Sequence, residues 1–241
     1  MSLRAREVIS GADCIAGYTT YVDLVRPLIE GRRIISTGMR KEVERVWAAI
    51  ECATSGSSCA LVCSGDPGIY AMAGLVFELC RKNSVAVGAD GLTVEVVPGI
   101  PALSAGAALL GAPLMHDFAT ISLSDLLTPW EVIEKRITAA AGADFVLAIY
   151  NPRSKKRDWQ LGKARSILLE QRSPDTPVGV VTGAMRDNQS VTLTTLGSLD
   201  ESIVGMQTIV FVGNSRTFVH DGHMVTPRGY GDKYDLERGD G

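Results

Sequence analysis

The chain has 241 residues, 46% of them hydrophobic and 21% charged, enough apolar material for one large core or two modest ones. Its 24 basic and 27 acidic side chains leave a net charge of -3, and without a basic stripe that balance excludes a general attraction to nucleic acid or to an anionic membrane surface. No apolar run approaches the roughly 20 residues of a membrane-spanning helix, and the opening MSLRAREVIS lacks the apolar core of a secretory leader, so a cytoplasmic protein is expected.

In chain order, RAREVISGA predicts a helix, CIAGY and RRIIS two short strands, and MRKEVERVWAAIECATSG an amphipathic helix closed by Gly56. CALVC then predicts a strand, GIYAMAGLVFELCRK a helix, and TVEVVPG a strand whose apolar run suits burial on both faces. Strands alternating with helices are the pattern of a parallel sheet with crossover helices. PALSAGAALLGAP, from Pro101 to Pro113, is helical and made almost wholly of small residues. Such side chains serve either tight helix-on-sheet packing or the close approach of a ligand.

Beyond Pro113 the pattern changes. FATISLSD alternates like a strand, PWEVIEKRITAAAGA reads as a helix, DFVLAIY as a buried strand and WQLGKARSILLEQR as a helix following a basic turn. PVGVVTG, QSVTLTTLGSL and QTIVFVGNS supply three more strands, the middle one with the threonine alternation of a half-exposed antiparallel member. The expected fold is α/β in two lobes: residues 1–114 around a mainly parallel sheet and residues 115–241 around a mixed one. The active site is expected in the cleft between them, and the polar tail RGYGDKYDLERGDG is expected to be loose.

The five cysteines, Cys14, Cys52, Cys59, Cys63 and Cys80, sit among apolar neighbours without a C-x-x-C pair. They read as core fillers, and no metal site is expected. His220 and His223 in VHDGHM lack the partners a metal needs and read as a surface turn.

The stretch SGDPG, directly after CALVC, stands at the carboxyl end of a predicted parallel strand, where ligands gather against exposed backbone N–H groups. Gly65 and Gly68 permit close approach and positive φ, and Pro67 fixes the turn. Asp66 offers a carboxylate, either as a cap or toward a cation. The spacing matches neither G-x-G-x-x-G nor a P-loop, so phosphate cradling is not supported.

Together, SGDPGIYAMAG, VVPGIPALSAGAALLGAPLMHDFATISLSD, AIYNPRSKKR, VVTGAMRDNQSVTLTTL and TIVFVGNS, in that order, resemble the tetrapyrrole methylase family over nearly the whole chain. Within it, PLMHDFATISLSDLLTPWEVIEKR and IYNPRSKKR most resemble the precorrin-3B C17-methyltransferase branch of cobalamin biosynthesis. The resemblance implies methyl transfer from S-adenosylmethionine to ring carbon C17 of a corrin precursor, with ring contraction and S-adenosylhomocysteine as product. It also implies a homodimer with a small-molecule tetrapyrrole as partner and neither nucleic acid nor membrane. The alternatives are a sister enzyme acting on another corrin carbon or on uroporphyrinogen III, and a non-catalytic nucleotide-binding α/β protein.

Carried onto this sequence, the resemblance implies a cofactor site made of Ser64, Gly65, Asp66 and Ile69, of Pro101 and Ala102, of Asn151, of Ala184, and of Thr208 and Ile209. Ser122, Ser124, Asp125, Arg153 and Lys155 are the candidates for holding the macrocycle and its carboxylates, with Lys156 and Arg157 read rather as part of a solvated basic turn. His116, the one histidine within the motif-bearing region, is the candidate base for the proton lost in ring contraction, and a structural role at the lobe junction is its alternative. Family members begin with a strand running into G-x-G-P-G, whereas this chain starts inside the first helix at LRAREVI, so that strand and its glycine loop are expected to be absent.

Overall fold

CIAGY, RIIST and CALV form strands β1 (Cys14–Tyr18), β2 (Arg33–Thr37) and β3 (Cys59–Val62), paired in the order β2-β1-β3 with every pair parallel. The computed structural model describes residues 1–154 and 156–237, and the chain divides into two units, Met1–Pro101 and Ala102–Gly241. Parallel strands need crossovers, and here these contain α2 (Thr19–Leu24) and α3 (Glu42–Thr54). Helix α1 (Leu3–Gly11) precedes β1 and opens on Ser2, whose Oγ accepts the N–H of Ala5 at 3.2 Å. Its apolar side joins Ile15, Val22, Val25, Ile29, Ala60 and Val62 in one core. Helix α4 (Ala73–Lys82) packs with α3 around Val46, Ile50 and Cys80.

Two expectations for this unit need correction. The helix read from Gly68 starts only at Ala73, because residues 66–72 are spent on a turn in which Ala73 N–H bonds Pro67 C=O at 3.0 Å and Tyr70 adopts φ +52°. TVEVVPG forms no strand: β3 is bonded to β1 alone, so residues 93–98 have no ladder neighbour among the described residues, and Val96 stays 44% exposed. The short α2, with no side-chain cap, was not foreseen.

The second unit is built on the sheet β5-β6-β9-β7-β8. Its strands are β5 (Phe118–Ser122), β6 (Val146–Tyr150), β7 (Pro177–Thr182), β8 (Ser190–Thr195) and β9 (Thr208–Val212). Only β5 and β6 run parallel; the other pairs are antiparallel, so the sheet is mixed as expected. Alternate residues point to opposite faces. Leu147, Ile149, Val178, Val180, Val210 and Val212 meet helices α6 (Trp130–Gly142) and α7 (Gln160–Leu169) on one side. Ala148, Val181, Ile209 and Phe211 meet α5 (Ala102–Leu110) on the other. β8, at the sheet edge, pairs antiparallel with β7 as expected, but its exposure falls along the strand, from Ser190–Thr192 exposed to Leu193–Thr195 half-buried, rather than alternating.

Helix α5 thus packs with the second unit, whereas the sequence reading groups it with residues 1–114. Its small residues explain this directly. A Cβ on Gly106 would stand 2.8 Å from the Phe211 ring and 3.0 Å from Ile209, so that turn of helix lies flush against β9. After α5, β4 (Gly111–Ala112) joins a small sheet with β10 (Phe218–His220) and β11 (His223–Val225). The β10–β11 hairpin turns on Asp221 and Gly222 at φ +45° and +76°, so the surface turn read in VHDGHM is the exposed tip of a hairpin. The tail is tied down at Asp232, whose carboxylate takes a two-pronged bond from Arg216 at 2.6 Å on each side. No helix among the described residues is long and apolar enough to cross a membrane.

Candidate functional site

At the end of β3 the chain does not run straight into a helix, because its next residues are stacked on a second turn. Gly65 sits at φ +77° with Pro101 Cα 3.5 Å from where its Cβ would be. A Cβ on Gly99 would fall 1.9 Å from the carbonyl oxygen of Gly65, so the two backbones touch without side chains between them. Asp66 fastens the stack: Oδ1 accepts the N–H of Gly68 at 2.8 Å and Oδ2 the N–H of Gly99 at 2.9 Å. A carboxylate bridging two backbone donors is a positioning group. Ser64, Gly65, Asp66, Ile69 and Pro101 therefore belong to one paired turn at the carboxyl end of β3, with Ser64 and Ile69 half-buried.

The remaining cofactor candidates cluster within the second unit. Ala102, Ala184 and Ile209 share the apolar cluster that holds α5 on the sheet, the two alanines half-buried on its rim and Ile209 buried. The first turn of α5 is held by Tyr150, whose Oη accepts the N–H of Leu103 at 2.9 Å. Because β9 runs antiparallel to β7, its first residue Thr208 lies beside Thr182, the last of β7. Their hydroxyls bond at 2.7 Å, and Thr208 Oγ1 also accepts the N–H of Gly205 at 3.0 Å. The turn bearing Ala184 enters the left-handed region on both sides, at Gly183 (φ +58°), where glycine adopts it freely, and at Met185 (φ +59°), where it is strained. Asn151, at φ +50° after β6, donates its Nδ2 to Ser122 Oγ at 3.0 Å.

The substrate candidates flank that asparagine. Ser122, ending β5, accepts both Asn151 and the N–H of Ser124 at 3.2 Å. Asp125 accepts Nε2 of Gln160 at 2.9 Å. Gln160, 2% exposed at the start of α7, keeps its Oε1 without a partner among the described residues, and so does Nε of Arg157. Burial pulls the Arg157 guanidinium below its usual range, and the charge of Asp125 opposes that. Arg157 is therefore a half-buried member of a polar cluster rather than a solvated turn residue, and Gln160 is a member that sequence reading missed. In WQLGKA the glutamine stands among ordinary helix residues, lysine included, and nothing local marks it as buried. Arg153 turns instead to the carbonyl of Glu201, donating at 2.6 Å. Lys155 lies outside the described residues.

His116 stands between β4 and β5 with its side chain 39% exposed, and Nδ1 accepts the N–H of Asp117 at 2.8 Å. With Nδ1 accepting, the neutral ring carries its proton on Nε2. Cys63 adjoins the paired turn, but burial pushes its thiol up, which disfavours the nucleophilic thiolate.

Comparison with known proteins places these turns in context. The family model of Tetrapyrrole (Corrin/Porphyrin) Methylases matches residues 1–200. The chain is 52% identical over 235 residues to a protein of Priestia megaterium named cobalt-factor III methyltransferase, covering 98% of this chain but 43% of that longer relative. It is 51% identical over 230 residues to a protein of Salmonella typhimurium named probable cobalt-factor III C(17)-methyltransferase, covering 95% of this chain and 93% of the other. Among solved structures, the methyltransferase CobJ superposes with TM-score 0.88 at 35% identity, covering 94% of this chain and 93% of the other. A uroporphyrin-III C-methyltransferase from Thermus thermophilus, at TM-score 0.64 and 20% identity, shares the fold.

Proposed function

The chain belongs to the tetrapyrrole methylase family, and from that premise we propose that it transfers a methyl group from S-adenosylmethionine to C17 of a cobalt-loaded corrin precursor. The observation that carries this reading is the make-up of the two clusters: strand-end turns with backbone N–H groups, small or apolar side chains, a pair of threonine hydroxyls, and no activated nucleophile among the described residues. The Gly65–Gly99 stack suits one side of an adenosyl group with its amino-acid tail, because two strand-end turns meet there backbone to backbone with no side chain between them. Relatives at 51% and 52% identity, named for cobalt-factor III, favour the cobalt-loaded substrate over the metal-free one.

When bound, the cofactor's sulfonium supplies the methyl group and leaves as neutral S-adenosylhomocysteine. The chain's residues then have to orient the reactants and keep water away. In this proposal Asp66 holds the paired turn in shape, and Ser64, Gly65, Ile69 and Pro101 line it. Ala102, Ala184 and Ile209 offer apolar surface, with Asn151 and Thr208 as hydrogen-bonding groups. Ser122, Ser124 and Asp125 meet the macrocycle edge, and Arg153 with Lys155 meets its carboxylates.

His116 is the proposed base for ring contraction. Taking a proton at Nε2 requires the ring to shift its own proton to Nδ1 and give up the Asp117 contact. His116→Ala is expected to leave S-adenosylhomocysteine affinity unchanged and to slow ring contraction by about 10²–10⁴-fold. Unchanged turnover removes the assignment.

Titration calorimetry with S-adenosylhomocysteine, NAD and ATP tests the cofactor reading. Binding of the first ligand alone is expected; binding of NAD or ATP in its place favours a nucleotide-binding protein of another kind. The homodimer implied by the family is part of the same proposal, and light scattering measures it.

A further inference from the structure

β3 carries the SGDPG turn at its carboxyl end, and at its amino end three sulfurs meet. Cys59 opens β3, Cys14 opens β1 directly opposite it in the parallel register, and Cys52 reaches them from α3. The three Sγ atoms lie within 4.8 Å of one another. Cys14 and Cys52 are buried, at 1% and 4% exposure, while Cys59 is half-buried and gives the cluster an outlet. The two strand starts are clamped together just outside it: Asp13 Oδ2 accepts the N–H and the Oγ–H of Ser58 at 2.8 and 2.7 Å. Cys14 and Cys59 therefore stay side by side without any help from the sulfurs.

We propose that Cys14, Cys52 and Cys59 form a three-thiolate site for a thiophilic divalent cation of the zinc class, tying α3 to β1 and β3. Tetrahedral zinc with Zn–S near 2.3 Å sets its sulfurs about 3.8 Å apart, so no pair of sulfurs has to close by more than about 1 Å, within the reach of side-chain rotation. Three S–H protons go to solvent, three metal–sulfur bonds form, and no oxidation state changes. Water entering past Cys59 completes the fourth position. The site then carries one negative charge, and Arg33, the register partner of Cys14 on β2, supplies a positive charge next to it. The other two cysteines, Cys63 and Cys80, lie outside the cluster and serve as internal controls.

The test uses the full chain, reduced with a phosphine and freed of metal by a chelator, and titrated with Co²⁺ and then Zn²⁺. One equivalent of Co²⁺ is expected to bring up thiolate-to-cobalt charge transfer and the visible bands of a tetrahedral ion. An equivalent of Zn²⁺ should erase them and raise the thermal midpoint. Cys52→Ser should abolish the bands, and Cys59→Ser, at the half-exposed ligand, does the same should the first variant fold poorly. Cys63→Ser and Cys80→Ser should keep them. Absence of charge transfer in the unsubstituted chain overturns the proposal, and so does a band that survives both Cys52→Ser and Cys59→Ser. Neither outcome bears on the methyltransferase reading, since no tetrapyrrole or methyl donor is present.

Discussion

Gly99→Ala is expected to abolish measurable S-adenosylhomocysteine binding and to destabilise the first unit by about 1–3 kcal/mol. The added Cβ would lie 1.9 Å from Gly65 O, 2.9 Å from Gly65 C and 3.2 Å from Asp66 Cα. All three are backbone atoms, so no rotamer change relieves the clash and the two turns must move apart by more than an ångström. That separation breaks the bond from Gly99 N–H to Asp66 Oδ2, now 2.9 Å long, and leaves one carboxylate oxygen without its donor. Displacement of a positioning loop by about 1 Å is enough to cost roughly 10²-fold in a reaction that depends on alignment. Calorimetry measures the first effect and denaturant unfolding the second. Wild-type affinity in Gly99→Ala detaches the paired turn from cofactor binding.

Gly106→Ala carries the second large effect, and its sign is informative. In an unobstructed helix the change stabilises by about 1 kcal/mol, because alanine is the better helix former. Here the methyl would meet Phe211 Cε2 at 2.8 Å, Ile209 Cγ2 at 3.0 Å and Phe211 Cζ at 3.1 Å. Phe211 is 0% exposed and Ile209 2%, so neither has space to withdraw into. The overpacking outweighs the propensity gain, and a net loss of about 1–2 kcal/mol is expected, read as a fall of several degrees in thermal midpoint. Because Ala102 opens the same helix, weaker S-adenosylhomocysteine binding should accompany it. A rise in thermal midpoint would mean that α5 does not lie flush on β9.

The comparison between sequence and structure divides along one physical line. VLAIY and TIVFV announce strands buried on both faces, because short, nearly continuous apolar runs rich in β-branched and aromatic residues suit a sheet covered on both sides. SGDPG announces a turn by residue type alone. Local chemistry is silent, however, on partners distant in the chain. TVEVV has the composition of a strand but no described neighbour to pair with, and a strand exists only as part of a ladder. The link from Asp66 to Gly99, the placing of Gln160 beside Asp125, and the meeting of Cys14 with Cys59 and Cys52 all depend on register between separate elements. The small residues of α5 were readable as a demand for close approach, but not for which partner: for Gly106 it is Phe211, and for Leu110 it is Gly179, where a Cβ would meet Leu110 at 2.4 Å. VHDGHM read only as a surface turn, because the strands flanking it are three residues each, too short to show an alternating pattern.

The most direct measurement follows the methyl group itself. Incubating the chain with S-adenosylmethionine labelled with ¹³C in its methyl group and a cobalt-loaded corrin precursor, then locating the label by NMR, is expected to give one new ¹³C-methyl group on C17. Label on any other ring carbon, or none at all from a chain that binds S-adenosylhomocysteine, contradicts the assignment.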